Sequence, residues 1–563
     1  MLSEHRSNTL TKVLSYGSLA VTLAVISGFG YDPVNLPKLM ILILLAGLCF
    51  GIWSFSAKKI IGNHNFKIII MIYGAFLLGL ILSTALGASP AIMNIYGTYA
   101  RNTGALAYLA LMIISISAAL LQRGDQVRKI ISVFLFCLLF NVLYGVYINL
   151  TDNDIFAWNN PYGNFLGTFG NPNFISAFLG IGFSVSLAYF LFSKSIIWIR
   201  LLFLILLPAE LYLIIETNSL QGMIVSLLGL TIILFFIIRR QFHKTLLYFY
   251  SAIATFIGGL TVLGMLQIGP LTEYVYKTTV SVRGEYWRAG LKMFLESPVW
   301  GIGLDSYGDF YRRMRGSTAL TWPGVNTVTD AAHNVFIDIL AGGGLVLFLP
   351  FTAIQIYIFY KCVLFLRINK GFDPVFVSLF VGWITYLAQS VISISQLGLA
   401  IWGWLFMGLL IAYTSLNTTN DDSLHLVIKG QKSKKINSKP AELAAGNVVT
   451  IAASLIVAAL FAFPPIIAEH NWRSQLEAKN VAKFIEAAGK WPQTNQRFIQ
   501  TADILNKSQN LSDSLNVLRD GIKFDPNFRD YWWYIYNLTP NNLEKAEALK
   551  NLKRLDPLNL EQK

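Results

Sequence analysis

The feature that most limits the fold of this chain is a series of apolar stretches, each close in length to a membrane span. A helix needs about 20 apolar residues to cross a bilayer, and charged residues make up only 13% of this chain, against roughly 25% in soluble domains. The pattern predicts an all-α, polytopic membrane protein with about 13 transmembrane helices. They are expected near residues 13–29, 40–55, 67–87, 104–121, 130–150, 174–192, 201–216, 219–238, 245–266, 344–361, 375–392, 397–414 and 448–468.

Lysine and arginine are distributed unevenly between the loops that join these stretches. One set of loops is rich in them, as at 58–59 and 239–240, whereas the loop 151–173 of the other set has none. Because basic loops stay in the cytoplasm, the N-terminus is predicted to be cytoplasmic and the residues after the last span extracytoplasmic. The net charge of +14 follows mostly from this bias, and no nucleic-acid-binding motif accompanies it.

Composition divides the chain into four segments. Residues 1–414 are predicted to form a polytopic membrane domain, which includes an extracytoplasmic polar loop at 267–334. Residues 415–447 are a basic cytoplasmic linker, residues 448–468 the last transmembrane helix, and residues 469–563 a polar, helix-forming segment outside the membrane.

The C-terminal segment carries prolines at a regular spacing. Pro492, Pro526 and Pro557 lie 34 and then 31 residues apart, which is close to the period of tetratricopeptide helix pairs. We expect a tetratricopeptide-like helical domain whose concave surface binds an acceptor or a protein partner. The alternative is a lid that only stabilises the outer face of the membrane domain.

The polar loop (residues 267–334) is unusually basic for a segment between apolar stretches. Basic residues on the outer side indicate that an anion is bound there, and arginine pairs well with phosphate oxygens. Arg283 to Glu296 has the spacing of an amphipathic helix, which would lie at the depth of lipid phosphates. Its apolar side is expected to carry Trp287, Leu291, Met293, Phe294 and Leu295. Simple anchoring to anionic lipid is the alternative, above all for Arg312, Arg313 and Arg315. The basic residues are Lys277, Arg283, Arg288, Lys292, Arg312, Arg313 and Arg315.

Other polar residues lie at the predicted outer ends of spans. Arg101 would bind phosphate or anchor the chain at the interface. Asn171 and Asn173 would cap the next helix or bind sugar hydroxyls, with capping expected of Asn173. Glu216 and Gln221 flank the outer end of a pair of spans, where an ionisable group is a functional candidate.

His333-Asn334 directly precedes a span in which Gly342 to Gly344 would allow close helix approach. An imidazole with a pKa near ~6.5 accepts a proton or donates a hydrogen bond at neutral pH; the alternative is a packing residue at the interface. The cysteines Cys49, Cys137 and Cys362 have unrelated spacings, and no acidic cluster indicates a metal or cofactor site.

These motifs together resemble the O-antigen ligase/Wzy polymerase superfamily of bacterial glycan-transferring membrane proteins. The resemblance is carried by Arg283-x3-Trp287-x10-Pro298-x2-Gly301-x-Gly303, followed by Ala332-His333-Asn334 and a glycine-rich span. Arg101 between two glycines and the Gly170-Asn-Pro-Asn173 turn also fit. The resemblance covers roughly residues 12–414.

The family resemblance implies a metal-independent, inverting, GT-C-type glycosyltransferase of the bacterial cytoplasmic (inner) membrane, with no cofactor. It would move a glycan from an undecaprenyl-diphosphate carrier to an acceptor hydroxyl. Arg283 would hold the leaving diphosphate, and His333 would activate or position the acceptor. Arg101 and Arg288 would be further diphosphate contacts, and secondary candidates are Asn334, Asn171, Asn173, Gln221 and Glu216. Many members have Ser-Arg-Gly where this chain has Ser219-Leu-Gln221-Gly222, so one diphosphate contact is in doubt.

Several functions are compatible with the resemblance. The acceptor, which is a glycan, a glycolipid or a protein, separates a ligase or polymerase from a protein O-oligosaccharyltransferase. A membrane transporter, similar to inorganic-carbon transporters, is the alternative from another class. Transporters usually carry ionisable residues near mid-bilayer in repeated halves, which the predicted spans largely lack. A non-catalytic anchor for the C-terminal domain would not need so many spans.

Overall fold

A computed structural model describes residues 2–28, 30, 32–156, 160–192, 196–265, 269–270, 278–369, 373–416 and 445–559. This part of the chain is helical, with no strand, as the sequence predicts. Lys277 and nearly all of the predicted linker 415–447 lie outside the described residues.

Helices α1 to α11 form the first part of the membrane domain. They are α1 (Glu4–Leu23), α2 (Asn35–Ser54), α3 (Ala57–Ile61), α4 (His64–Leu86), α5 (Ala91–Tyr96), α6 (Ala105–Ala119), α7 (Gly124–Thr151), α8 (Pro172–Phe192), α9 (Ile197–Glu216), α10 (Leu220–Gln241) and α11 (Lys244–Met265).

The polar loop contains two helices, and further long helices follow it. They are α12 (Thr278–Glu296), α13 (Tyr307–Met314), α14 (Val335–Ile368), α15 (Pro374–Ile392), α16 (Leu397–Leu416) and α17 (Ala445–Glu477). The C-terminal domain adds α18 (Val481–Ala488), α19 (Asn495–Lys507), α20 (Leu511–Phe524), α21 (Arg529–Leu538) and α22 (Asn542–Leu555).

The described residues contain ten helices that are long and apolar enough to span a membrane, which confirms a multi-pass membrane protein. A helix lies at each of the thirteen predicted positions. The three that fall outside the ten are α1, α6 and α11; α6 is apolar but has only 15 residues. Helix α16 lies at the centre, because its apolar window is entirely buried by its neighbours.

Helix α1 begins nine residues earlier than the apolar pattern predicts and ends six residues earlier. Its buried face carries five serine and threonine side chains beside Leu10, Leu14 and Val21, so the apolar pattern does not mark its true start. The hydroxyls are satisfied within the helix: Thr11 donates to the Ser7 carbonyl at 2.8 Å, and Thr22 to the Ser18 carbonyl at 2.7 Å. These bonds let a polar face be buried without unpaired donors.

Helix α14 is broken at Gly344, whose φ of +60° and ψ of −167° lie outside the helical region. The segment 298–303 of the polar loop enters this break. The amide of Leu345 donates to the carbonyl of Pro298 at 2.9 Å, and the amide of Gly303 donates to the carbonyl of Gly342 at 3.0 Å. The glycines thus admit a loop, whereas the sequence suggested close approach of a helix.

The polar loop has its own small core. Val282, Tyr286, Ala289 and Met293 form one face of α12 and pack against residues of α13 and the start of α14. The exposed side includes Leu291 and Leu295, which the sequence grouped with Met293 on one apolar side. The sequence therefore predicted the helix correctly but not the face that is buried.

The C-terminal domain has a separate core of apolar side chains from α17 to α22. Pro492, Pro526 and Pro557 each follow the end of a helix, after α18, α20 and α22. This arrangement agrees with helix pairs at the predicted spacing. Assignment to the tetratricopeptide class stays a prediction, and so do the domain boundaries.

Candidate functional site

Arg283 lies on α12, half-buried in the polar loop. Burial lowers the pKa of Arg283 to about 10, and the neighbouring Tyr286 opposes that shift, so the guanidinium stays charged at neutral pH. Its buried Nε has no hydrogen-bond partner among the described residues. A charged donor in this state would be satisfied by an anionic ligand.

Gln221 holds one terminal nitrogen of the Arg283 guanidinium. With the amide oriented to satisfy both of its ends, the Gln221 oxygen accepts from Arg283 Nη2 at 3.2 Å, and the nitrogen donates to the Asn173 carbonyl at 3.2 Å. Ser393 Oγ lies 3.2 Å from the same nitrogen. The side chain is almost fully buried. Gln221 therefore links the polar loop to the ends of α8, α10 and α15.

His333 lies just before α14 in the left-handed backbone region, with φ +54°. Its Nδ1 is 3.2 Å from the Ala331 carbonyl oxygen and 3.5 Å from Thr329 Oγ1. Because a carbonyl can only accept, this contact assigns the proton to Nδ1 and leaves Nε2 as an acceptor. Burial, and then the charge of Arg283, lower the pKa of His333 to about 4. The imidazole is therefore neutral at pH 7.

Tyr286 connects the two groups. Its ring packs on the imidazole of His333, with ring centroids 5.5 Å apart and planes inclined by 36°. It also lies three residues after Arg283 on the same helix, which places the two side chains on one face. The structure thus brings Arg283 and His333, 50 residues apart in the chain, beside one tyrosine.

Two of the three candidate asparagines, Asn171 and Asn334, are helix caps. Asn334 accepts from the amides of Phe336 and Ile337 at 3.0 and 3.2 Å and so begins α14. At α8 the capping side chain is Asn171, which accepts from the amide of Asn173 at 2.9 Å. The expectation that Asn173 caps this helix is wrong, because Asn173 is already inside α8 and its Oδ1 accepts from Ser219 Oγ at 2.8 Å.

Arg101 is buried in a cluster of charges. Its Nε lies 3.0 Å from Asp305 Oδ1, and its Nη1 lies 3.4 Å from Asp330 Oδ1. Burial alone would lower the pKa of Arg101, but the nearby carboxylates raise it. An adjoining cavity of about 20 Å³ has room for roughly one water. A phosphate would reach Arg101 only if the more exposed Asp330 moved aside, so its role as a phosphate contact stays a prediction.

Arg288 and Glu216 are not brought to this group. Arg288 is 60% exposed and ion-paired with Glu285 on its own helix, and five residues along a helix turn its side chain roughly 140° from Arg283. Glu216 is exposed at the last residue of α9. Both positions suit contacts with headgroups or solvent better than contacts with a group held between Arg283 and His333.

The basic cluster in the second half of the polar loop contacts carboxylates of the protein itself. It consists of Arg312, Arg313 and Arg315. Arg315 pairs with Asp556 at 2.7 Å with both side chains fully buried, and Arg312 pairs with the same carboxylate at 3.2 Å. Arg313 pairs with Glu296 at 2.9 Å. Lipid anchoring is thus not the role of Arg315, because the side chain docks the C-terminal domain on the polar loop.

Sequence reasoning missed Tyr286, Ser393 and Asp305. The spacing of Tyr286 from Arg283 was a usable signal, because residues three apart share a helix face. Ser393 lies in the short polar break between α15 and α16. In the sequence, this break indicated only a turn between two spans. Asp305, which pairs with Arg101 more than 200 residues away, left no local signal.

The geometry combines a fixed cation with a neutral base. Arg283 can stabilise negative charge, and Nε2 of His333 can accept a proton. The N-terminal ends of α8, α10 and α14, capped by Asn171, Ser219 and Asn334, lie next to these groups, and helix N-termini favour anions. Among the described residues, no group of three or more histidine, cysteine, aspartate or glutamate side chains is arranged to hold a metal ion.

Comparison with known proteins agrees with this geometry. Residues 209–352 match the family model described as O-antigen ligase, and the matched segment includes Gln221, Arg283 and His333. No curated protein matches the chain. Over residues 209–352 the chain is therefore similar to the O-antigen ligase family, and this similarity supports, at family level, an O-antigen ligase-like membrane glycosyltransferase of the O-antigen ligase/Wzy superfamily.

Proposed function

We propose that this protein transfers a glycan from an undecaprenyl-diphosphate carrier to an acceptor hydroxyl at the extracytoplasmic face of the bacterial inner membrane. The observation that carries the proposal is the pair formed by Arg283 and His333. A charged guanidinium with an unpartnered donor lies beside a neutral imidazole with a free acceptor nitrogen. Breaking a sugar–diphosphate bond requires both kinds of group.

In the proposed reaction, the acceptor oxygen attacks the anomeric carbon of the donor sugar, and the bond from that carbon to the diphosphate oxygen breaks. The acceptor proton passes to Nε2 of His333. General-base catalysis of this kind typically raises the rate by about 10²–10⁴-fold. The negative charge that develops on the leaving diphosphate is stabilised by Arg283. Attack opposite the leaving group inverts the anomeric configuration, and the positive charge comes from arginine and not from a metal ion.

Gln221 has a defined role in this scheme. Its amide oxygen holds Nη2 of Arg283, which shares one edge of the guanidinium with Nε, and so fixes the orientation of the group that carries the unpartnered donor. Many superfamily members are expected to have arginine at this position. Here a neutral side chain positions the arginine that remains, and Arg101 and Arg288 are proposed to act only as outer phosphate contacts.

The acceptor is the open part of the proposal, because a ligase, a polymerase and a protein O-oligosaccharyltransferase use the same donor chemistry. The C-terminal domain, at the same end of the molecule as the polar loop, is proposed to bind the acceptor or a protein partner. Mass spectrometry of surface glycans and glycoproteins from a deletion strain identifies the acceptor, because the product lost in that strain names it.

Activity is tested with membranes of the deletion strain, which contain unused donor and acceptor. Purified wild-type protein should consume lipid-linked glycan and release undecaprenyl diphosphate, whereas Arg283→Ala and His333→Ala should not. Lys292→Ala is the matched control, because it removes an exposed cation from the opposite side of the same helix. Full transfer by either site variant contradicts the assignment. Solute flux into liposomes without lipid-linked glycan would favour a transporter.

A further inference from the structure

One carboxylate joins the C-terminal domain to the polar loop. Asp556 follows α22, and its side chain is fully buried. Its Oδ1 accepts from Arg315 Nη2 at 2.7 Å, and its Oδ2 accepts from Arg312 Nη1 at 3.2 Å. Both arginines also donate to the carbonyl of Val325, at 2.7 and 3.3 Å. A single side chain therefore holds the end of α13 and the following segment of the polar loop.

This contact is stronger than a surface ion pair. Exposed pairs contribute little because water screens them, whereas here Arg315 and Asp556 are both without exposed side-chain surface. Removing one partner of such a pair leaves the other charge buried alone, which strongly destabilises the contact. The docking of the two parts therefore depends on Asp556 in particular.

A continuous set of contacts leads from Asp556 to His333. The amide of Arg315 donates to the carbonyl of Tyr311 at 2.8 Å, at the end of α13. The ring of Tyr311 meets the ring of Tyr286 edge-on, with centroids 5.6 Å apart. Tyr286 in turn packs on the imidazole of His333 at 5.5 Å. These aromatic side chains belong to the core of the polar loop.

His333 needs such support. Its φ of +54° lies in a sparsely populated region for residues other than glycine, and such conformations persist where the surroundings hold them. Beyond its contacts with Ala331 and Thr329, the ring is held by Tyr286. Loss of the Tyr286 face would therefore free the ring to turn.

We propose that the C-terminal domain is part of the catalytic centre, and that Asp556 is a positioning residue that fixes His333 through Arg315, Tyr311 and Tyr286. This inference rests on the proposed role of His333 as the base. It assigns the C-terminal domain a role in catalysis that does not depend on binding an acceptor.

The test measures the accessibility of His333 in the purified full-length protein. Diethyl pyrocarbonate modifies neutral, accessible imidazoles, and mass spectrometry follows the rate at each histidine. Asp556→Asn removes the charge and keeps the shape. Glu544→Gln is the matched control, because Glu544 lies on α22 but pairs at 2.8 Å with Arg519 inside the C-terminal domain. The exposed His243 is the internal reference.

Asp556→Asn should increase the modification rate of His333 severalfold, with His243 unchanged, and Glu544→Gln should change neither. Asp556→Glu, which restores the charge, should return the rate toward that of the wild type. Where Asp556→Asn does not yield folded protein, Arg315→Lys keeps the charge but loses the planar fork and should have the same effect. Wild-type labelling of His333 in both variants overturns the inference.

Transfer assays complete the test. Asp556→Asn should lower kcat with little change in the KM for donor, because the donor is held by Arg283 and the base is misplaced. The acid limb of its pH profile should move to higher pH, because the imidazole would gain water as the contact loosens. The groups that face His333 are Arg283, Tyr286, Arg101 and Asp330. An unchanged profile with a lower folded fraction would show a merely structural role. The labelling result stands apart from activity, so a failure of the proposed function is distinguishable from a failure of this inference.

Discussion

Replacing Arg283 by glutamine should change both the rate of transfer and its dependence on pH. In the wild type, burial and the charge of Arg283 hold the pKa of His333 at about 4, against an ordinary value near 6.5. A base must be neutral to accept a proton. The wild-type rate should therefore stay level as pH falls from 7 to 5 and decline only as the pH approaches 4.

The size of the change follows from the two causes. Burial is the larger and remains in Arg283→Gln, whereas the repulsion between guanidinium and imidazolium is lost. We expect the acid limb to move up by about one pH unit, and not beyond 6.5. On the plateau, loss of one fixed cation at the leaving group should reduce kcat by about 10²–10³-fold. These are separate effects of one charge.

The measurement is the release of undecaprenyl diphosphate from membranes of the deletion strain between pH 4 and 8. Lys292→Gln provides the control, because it makes the same change of charge at an exposed position on the same helix and should move neither limb nor plateau. A lower plateau with an unmoved acid limb would mean that Arg283 does not face His333. An unchanged plateau would remove Arg283 from the site.

Three further predictions concern the fold around the site. Gly301→Ala should destabilise the protein by about 2–5 kcal/mol in thermal or denaturant unfolding, because φ is +78° and the added Cβ would lie 2.2 Å from the Gly342 carbonyl oxygen. Gly258→Ala is the control and should be neutral, because the added Cβ would meet open space. A membrane-impermeant maleimide should label Asn326→Cys in intact cells and Lys59→Cys only after permeabilisation. Both positions are exposed, and the natural cysteines are buried. The reverse labelling pattern would contradict the predicted topology. Burial, followed by Asp525 and Asp530, raises the pKa of Asp309 well above its ordinary value, so the folded state binds this proton more tightly and loses stability as pH rises toward the raised pKa. Asp309→Asn should match the wild-type melting temperature only below the ordinary carboxyl pKa of about 3.9 and should exceed it increasingly as the pH is raised to 8, and parallel curves would contradict the assignment.

The apolar pattern predicted where helices lie, because burial in lipid requires long apolar segments with internally bonded backbone. It failed at α1, where the buried face includes hydroxyls that bond to their own helix. It also assigned Lys38 to a loop, whereas this lysine is fully buried in α2 and donates to the carbonyls of Val21 and Thr22 at 2.9 and 2.7 Å. In both cases polar groups are satisfied by backbone carbonyls that hydropathy does not register.

The site was predictable to the extent that its chemistry is local in the sequence. Arg283 and His333 each lie in a short motif with a distinctive order and spacing. The partners that set their properties are contributed by distant segments: Gln221 by α10 and Asp556 by the C-terminal domain. Such pairings depend on how helices pack, and one sequence alone contains no signal that joins residues so far apart in the chain.

The neutral side chain of Gln221 has an electrostatic consequence for how the proposed diphosphate would be held. A second arginine there would lie against Arg283 and repel it, whereas Gln221 orients Arg283 without adding charge. The remaining positive potential comes from the N-termini of α8, α10 and α14, each equivalent to roughly half an elementary charge. Their side-chain caps weaken but do not reverse this field. A site built from one oriented cation and several helix dipoles would change little when the diphosphate leaves, because the dipoles belong to helices that are already packed. The guanidinium alone must then return to its unpartnered state, which favours release of the product over tight retention.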